Sequence, residues 1–267
     1  MNQPLNSRPK LFGLVGNHIS YSLSPRIHNY VFSMFGIKAL YGIFDIEPDH
    51  FDNAVVPLIS SGIGINVTVP YKEAIIKYLD SLSHEAELTG SVNLVSDRVG
   101  FNTDYLALRD LVLENISVEK NGECIILGSG GASRTAAFLL GGMGMKLKIF
   151  NRSHSRAAKL IDDLKRQNIS ARIYDINEKD ILSADGVVSG ISDPDFVFPE
   201  MKCLWAISFN YGNRADNFLK KVDDSCKHVI SGEQILAKQA IYSQKIWNHI
   251  EPSYDDIMEV INGQQLR

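Results

Sequence analysis

The chain has 267 residues, a length that fits one large domain or two ordinary ones. With 45% hydrophobic and 22% charged residues it has the composition of a globular protein with a full core, not of a disordered chain. A formal net charge of -4 argues against a broadly basic nucleic-acid binder, and no run approaches the ~20 apolar residues that a membrane helix requires.

Met1–Lys10 is polar and lacks the apolar core of a secretory signal, so a cytoplasmic protein is expected. Leu11–Val15 then reads as a strand. Ser24 and Pro25 open a helix, with the serine as N-cap and the proline at the first helical position. Ile27, Val31, Met34 and Phe35 give that helix an apolar stripe, and Gly36 is placed to end it. Ala39–Phe44 is strand-like, Asp49–Ser60 helix-like and Ile63–Val69 strand-like. A further helix is predicted after Pro70 and a strand over Val92–Val95. This alternation is the βαβ rhythm of a parallel or mixed sheet covered by helices.

A second series begins at Glu123. Cys124–Leu127 is a buried-strand run, followed by a glycine-rich turn and a helix over Ala132–Leu140. Lys146–Phe150 reads as a strand, Ser153–Arg166 as a helix, and Ala171–Tyr174, Gly186–Ser189 and Leu204–Phe209 as further strands. From Gly232 to about Val260 the chain is largely helical, with a break near Glu251 and Pro252. Two α/β domains fit this order, joined by a helix over Asp104–Leu113.

The chemistry-bearing residues cluster. Gly128, Ser129, Gly130, Gly131, Ala132 and Ser133 lie between a strand and a helix, where glycines let the backbone approach a pyrophosphate and the helix N-terminus offers N–H donors. Ser133 stands in the place of the third glycine of that pattern. At the end of the next strand, where an NAD enzyme carries a carboxylate for the ribose 2′-hydroxyl, the chain has Asn151, Arg152 and Ser153, with Arg156 close behind. A guanidinium there suits a 2′-phosphate and favours NADP; a solvated basic helix start is the alternative.

In the first half, Ser22 and Ser24 lie in one polar segment. Asn66 and Thr68 fall on one face of a strand with Lys72 at its carboxyl end, and Asn93 and Asp104 close two further segments. Open α/β sheets bind ligands at those ends. The cysteines, Cys124, Cys203 and Cys226, are odd in number and far apart. Neither they nor the histidines show metal-ligand spacing, so no metal is expected.

Taken in order, these segments resemble the shikimate dehydrogenase family, whose pattern runs Ser-x-Ser-Pro, Asn-Val-Thr-x-Pro-x-Lys, an Asn after a Gly-Ala/Ser-Val turn, and Asn-Thr-Asp. Gly128–Ala132 and Asn151–Ser153 look like the family's NADP loop and phosphate clamp, and Gly232–Gln239 like its late Gly-x-x-Met-Leu-x-x-Gln segment. The resemblance implies an N-terminal α/β substrate domain with a mixed sheet, residues 1–104, and a Rossmann-like NADP-binding domain, 105–239. Helices from about 240 to 267 would pack back on the first.

It also implies an oxidoreductase that reversibly reduces 3-dehydroshikimate to shikimate with NADPH, on the route to chorismate and the aromatic amino acids. Lys72 and Asp104 would be the catalytic pair. Ser22 and Ser24 would bind the substrate carboxylate, and Asn66, Thr68, Asn93 and Gln239 its ring hydroxyls, with Tyr211 or Phe209 in the place of a substrate-contacting tyrosine. Ser189 and Gly232 would sit on the cofactor. The partners implied are the small-molecule substrate and no nucleic acid or membrane, with a monomer or homodimer as assembly.

The chain departs from the pattern at Ala107, at 188–191, at 206–213 and at Ser231. Two alternatives stand beside this reading. One is a quinate/shikimate dehydrogenase using NAD; the other is a non-catalytic NADP- or metabolite-binding regulator on the same fold.

Overall fold

The structure, a computed structural model, describes residues 9–175, 181–222 and 224–263. The chain divides into two compact units, residues 1–103 with 236–267, and residues 104–235.

The first unit contains β1 (Lys10–Gly16), α1 (Ser24–Met34), β2 (Ala39–Asp45), α2 (Phe51–Ser60) and β3 (Gly64–Val67). There follow β4 (Ser81–Leu82), α3 (His84–Thr89), β5 (Leu94–Ser96) and β6 (Val99–Phe101). The six strands form one sheet in the order β2-β1-β3-β5-β6-β4. β1 pairs parallel to β2 and β3, whereas β5 runs antiparallel to β3 and to β6, so the sheet is mixed.

Residues of β1 and β3 alternate between two cores. Val15, Ile65 and Val67 pack with Phe51, Val55 and Ile59 of α2. Phe12 and Leu14 pack with Phe32, Tyr41 and Trp247 on the other side. Each of these aliphatic side chains, fully buried, stabilises the fold by about 1.5–3 kcal/mol.

α4 (Thr103–Asn115) leads into the second unit. That unit holds β7 (Glu123–Leu127), α5 (Gly131–Gly142), β8 (Lys146–Phe150), α6 (His154–Arg166) and β9 (Ala171–Ile173). It continues with β10 (Ile181–Ser183), β11 (Gly186–Ser189), β12 (Glu200–Lys202), β13 (Trp205–Ser208), α7 (Asn213–Leu219) and β14 (His228–Ile230). The main sheet has the order β14-β13-β11-β7-β8-β9, and every pairing in it is parallel. Counted along the chain, that is the 3-2-1-4-5-6 order of a dinucleotide-binding sheet, with its switch point between β7 and β11. β10 and β12 pair separately. α8 (Gly232–Asn248) begins in this unit and ends in the first, where α9 (Tyr254–Ile261) follows.

Several local expectations are corrected. Ser24 is the first residue of α1, not its N-cap; Leu23 holds that place and makes no side-chain cap. Met34 and Phe35 face solvent at 50% and 43% exposure, because the buried stripe of α1 runs through Ile27, His28, Val31 and Phe32. The segment after Pro70 forms only a 3-10 turn over Ala74–Tyr78. β3 stops at Val67, so Thr68 lies just beyond the strand, in a turn where its carbonyl accepts the Tyr71 N–H.

Candidate active site

In the first unit β2 and β3 flank β1 on opposite sides, so their carboxyl ends open a crevice of the kind in which α/β sheets bind ligands. The loop that follows β1 carries Ser22 and Ser24. Asp45, at the end of β2, holds that loop by accepting the N–H of His18 at 2.7 Å and of Ile19 at 3.2 Å. Ser22 Oγ accepts the Ser24 N–H at 3.2 Å, and Ser24 is buried. A Cβ on Gly16 would lie 2.7 Å from Thr68 Cγ2, so glycine is what lets the loop and the end of β3 approach.

Asn66 is buried in β3 with most of its polar capacity used. Its Oδ1 accepts the Tyr41 hydroxyl at 2.8 Å, while Nδ2 donates to the Asn93 carbonyl and to Ser243 Oγ, both at 3.2 Å. The Asn93 side chain grips Thr103: Oδ1 accepts its N–H at 2.7 Å and Nδ2 donates to its hydroxyl at 2.8 Å. By valence, Asn66 has acceptor capacity to spare and Asn93 one N–H. The amide orientations are fixed by their partners, since a backbone carbonyl demands a donor and a backbone N–H an acceptor. Gln239, buried on α8, donates from Nε2 to the Leu236 carbonyl at 3.1 Å.

Lys72 is half-buried, and its carbonyl accepts the Val92 N–H at 2.8 Å. Asp104 is buried in the first turn of α4.

In the second unit the turn after β7 takes Gly128 to a φ of +105°, a conformation that favours glycine. No side chain caps α5, and its first turn carries no acidic residue. A Cβ on Gly130 would meet open space. The helix therefore presents backbone N–H groups and a positive dipole end. Ser129 is buried and Ala132 half-buried at this end.

Ser133 is fully buried and its hydroxyl donates to the Leu127 carbonyl at 3.3 Å. Its Oγ occupies the room that Gly128 and Gly190 leave, since a Cβ on either would lie within 2.7 Å and 2.3 Å of it.

Arg152, at the end of β8, is 71% exposed and pairs with Asp193 at 2.8 Å. Asn151 Nδ2 donates to the Ser153 carbonyl, Ser153 Oγ lies 3.0 Å from Ser155 Oγ, and Arg156 is exposed. At the end of β11, Ser189 is fully buried with an Oγ that has no partner. Tyr211 is half-buried. Gly232 is required by its neighbours, because a Cβ there would sit 2.2 Å from the Asn210 carbonyl oxygen.

A glycine turn, an uncapped helix start, an exposed guanidinium and an orphaned hydroxyl at the carboxyl ends of β7, β8 and β11 make a donor set that fits a phosphorylated dinucleotide. Among the described residues no group of three or more His, Cys, Asp or Glu side chains gathers as a metal site. No helix there is long and apolar enough to cross a membrane.

Residues 14–95 match the family model described as "Shikimate dehydrogenase substrate binding domain", and residues 110–207 match "Shikimate / quinate 5-dehydrogenase". The shikimate dehydrogenase of Sulfurisphaera tokodaii is 38% identical over 91% of this chain and 91% of its own length. The chain belongs to the shikimate dehydrogenase family. A second relative, the shikimate dehydrogenase (NADP(+)) of Saccharolobus islandicus, is 35% identical over 100% of this chain and 99% of its own. The solved shikimate dehydrogenase of Thermus thermophilus, in complex with NADP(H) and shikimate, aligns with a TM-score of 0.76 and 25% identity over 95% of this chain and 99% of that one.

For a shikimate dehydrogenase, the sequence pattern names the outer layer of polar groups and misses the layer behind it. Tyr41, Ser243 and Asp45 support Asn66 and the serine loop from distant parts of the chain, and no local signal marks them. Asp193, the partner of Arg152, carries no sequence signal either. The close approach of Ser133 to Gly190 is visible only once the turn is built.

Proposed function

We infer that this chain is an NADP-dependent shikimate dehydrogenase, reversibly reducing 3-dehydroshikimate to shikimate. The observation that carries this is the buried Asn66–Asn93 pair near the carboxyl end of β3, held by Tyr41, Ser243 and Thr103 with hydrogen-bonding capacity to spare. Such rigid polar groups suit the ring hydroxyls of a polyol and reject analogues that leave them unpaired.

Ser22 and Ser24 are proposed to donate to the substrate carboxylate, and Thr68 and Gln239 to complete the hydroxyl contacts. Tyr211 is the proposed further substrate contact. Gly128–Ser133 would receive the pyrophosphate through backbone N–H groups, Ser133 by its backbone alone, since its hydroxyl is spent on Leu127. Arg152, with Asn151, Ser153 and Arg156 around it, would take the 2′-phosphate. Ser189 and Gly232 would lie against the nicotinamide end.

When bound, NADPH supplies the hydride. Reduction of the ketone builds negative charge on its oxygen, which the Lys72 ammonium stabilises and then protonates. Asp104 is the carboxylate proposed to hold the lysine in place and to relay a proton from solvent back to its neutral amine after the transfer.

The test is the appearance of reduced nicotinamide absorbance when the protein meets shikimate and NADP, with quinate and NAD as paired controls. Turnover with shikimate and NADP is expected. Faster turnover with quinate or NAD would assign the chain to the quinate-type enzyme, and folded protein that binds shikimate without turnover would point to a regulator.

A further inference from the structure

Arg152 already has a partner. Its Nη1 lies 2.8 Å from Oδ2 of Asp193, in the loop that follows β11. The carboxylate is held in place from behind: its Oδ1 accepts the Asp195 N–H at 3.0 Å. The next residue, Pro194, has its carbonyl fixed by Asn217 Nδ2 at 3.1 Å, which ties the loop to α7. Asp193 is the more sheltered member, 28% exposed against 71% for Arg152. An anchored carboxylate therefore sits against a guanidinium that projects into solvent at the end of β8.

We propose that Asp193 is a specificity-determining residue, competing with the 2′-phosphate of NADP for Arg152 and so lowering the preference for NADP over NAD. The proposal rests on the reading of Arg152 as the 2′-phosphate site. A phosphate monoester near neutral pH carries a charge of about −1.5 to −2, so binding it at Arg152 means sharing the guanidinium with the carboxylate or displacing it, and lying beside a like charge. NAD offers only an uncharged hydroxyl at that point and meets neither cost.

The test is equilibrium titration of the full chain with NADPH and, separately, NADH, followed by nucleotide fluorescence, for the unmodified protein, D193N and R152A. D193N removes the charge and keeps an oxygen for the Asp195 N–H. An exposed ion pair shifts an equilibrium by up to about fivefold, and relief of the carboxylate–phosphate repulsion adds to that, so D193N is expected to tighten NADPH by roughly three- to tenfold. NADH affinity should stay within about twofold. R152A should weaken NADPH and leave NADH nearly unchanged.

Unchanged NADPH affinity in D193N, with R152A still weakened, would overturn the role of Asp193 and leave that of Arg152 intact. Equal tightening of both nucleotides by D193N would also overturn it, as the mark of a loop rearrangement. If R152A did not weaken NADPH, both the Arg152 reading and the Asp193 proposal would fall.

Discussion

Asn93 holds Thr103 at two points, accepting its backbone N–H at 2.7 Å and donating to its hydroxyl at 2.8 Å. Both residues are buried, so neither group has water as a substitute. This grip joins the segment before β5 to the start of α4 and sets the orientation of the second Asn93 amide N–H, the one proposed to meet the substrate. Asn93→Ala is expected to leave the Thr103 N–H buried and unpaired, at a cost of about 1–3 kcal/mol in urea unfolding. Thr103→Ser should retain most of the stability and Thr103→Val should not, since valine keeps the shape and loses the hydroxyl. Equal stability in the two threonine variants would show that the hydroxyl bond contributes nothing.

The long apolar strands and amphipathic helices of both units were legible because their periodicity is strong over five residues or more. α3 and α7 and the strands β4, β6, β10, β12 and β14 were not: 2 to 7 residues carry little pattern, and β10, β12 and β14 lack the continuous buried run that marks the short β11 and β13. A different limit applies in α1, where Met34 and Phe35 fit the period but are the last residue and the C-cap of the helix, beyond its last buried residue, Phe32. At the site, residues inside contiguous motifs could be named, whereas their supports could not. Tyr41 reaches Asn66 across 25 residues of sequence and Ser243 across 177. Such contacts are products of the sheet order, which local pattern does not encode.

His28 lies directly behind this network. Its ring stacks on Tyr41 with centroids 4.5 Å apart, and Nδ1 lies 2.8 Å from Gln244 Nε2. Because Asn248 donates to Gln244 Oε1, the amide NH2 faces the histidine and Nδ1 is the acceptor. The proton then sits on Nε2, which is buried without a partner. Burial pushes the His28 pKa down to about 3. In the unfolded chain the same group titrates near 6.5.

Below about pH 6.5 the unfolded state therefore binds a proton that the folded state refuses, and stability falls as pH drops towards 3. The slope from this residue approaches about 1.4 kcal/mol per pH unit. Urea unfolding between pH 7.5 and roughly 4.5 should show His28→Gln losing less stability than the unmodified protein, by about one proton's worth of slope. Parallel curves would mean that His28 does not titrate between the two states.

Gly190 and Ser133 offer a packing test in the second unit. A Cβ at 190 would sit 2.3 Å from Ser133 Oγ and 3.0 Å from its backbone nitrogen. Gly190→Ala is expected to cost about 1–3 kcal/mol through overpacking and to weaken NADPH binding by displacing the start of α5. Ser133→Ala removes the nearer atom, so the double variant should recover part of both losses. Strict additivity in that cycle would show that the two residues are not coupled.

Lys72 is the position at which binding and chemistry should separate. It follows the turn after β3, half-buried, with its backbone tied to Val92. If its ammonium acts on the developing alkoxide, Lys72→Ala should lower kcat by roughly 10²- to 10⁴-fold, the range for loss of a positioned proton donor. Nucleotide affinity, proposed to depend on the turn after β7 and on Arg152, should be unaffected. Lys72→Met, which keeps the length without the charge, should behave like the alanine variant, because the lost function is protonation and charge stabilisation, not packing. Near-normal turnover in either variant would remove Lys72 from the reaction. A loss of NADPH affinity equal to the loss of kcat would recast it as a residue that shapes the fold.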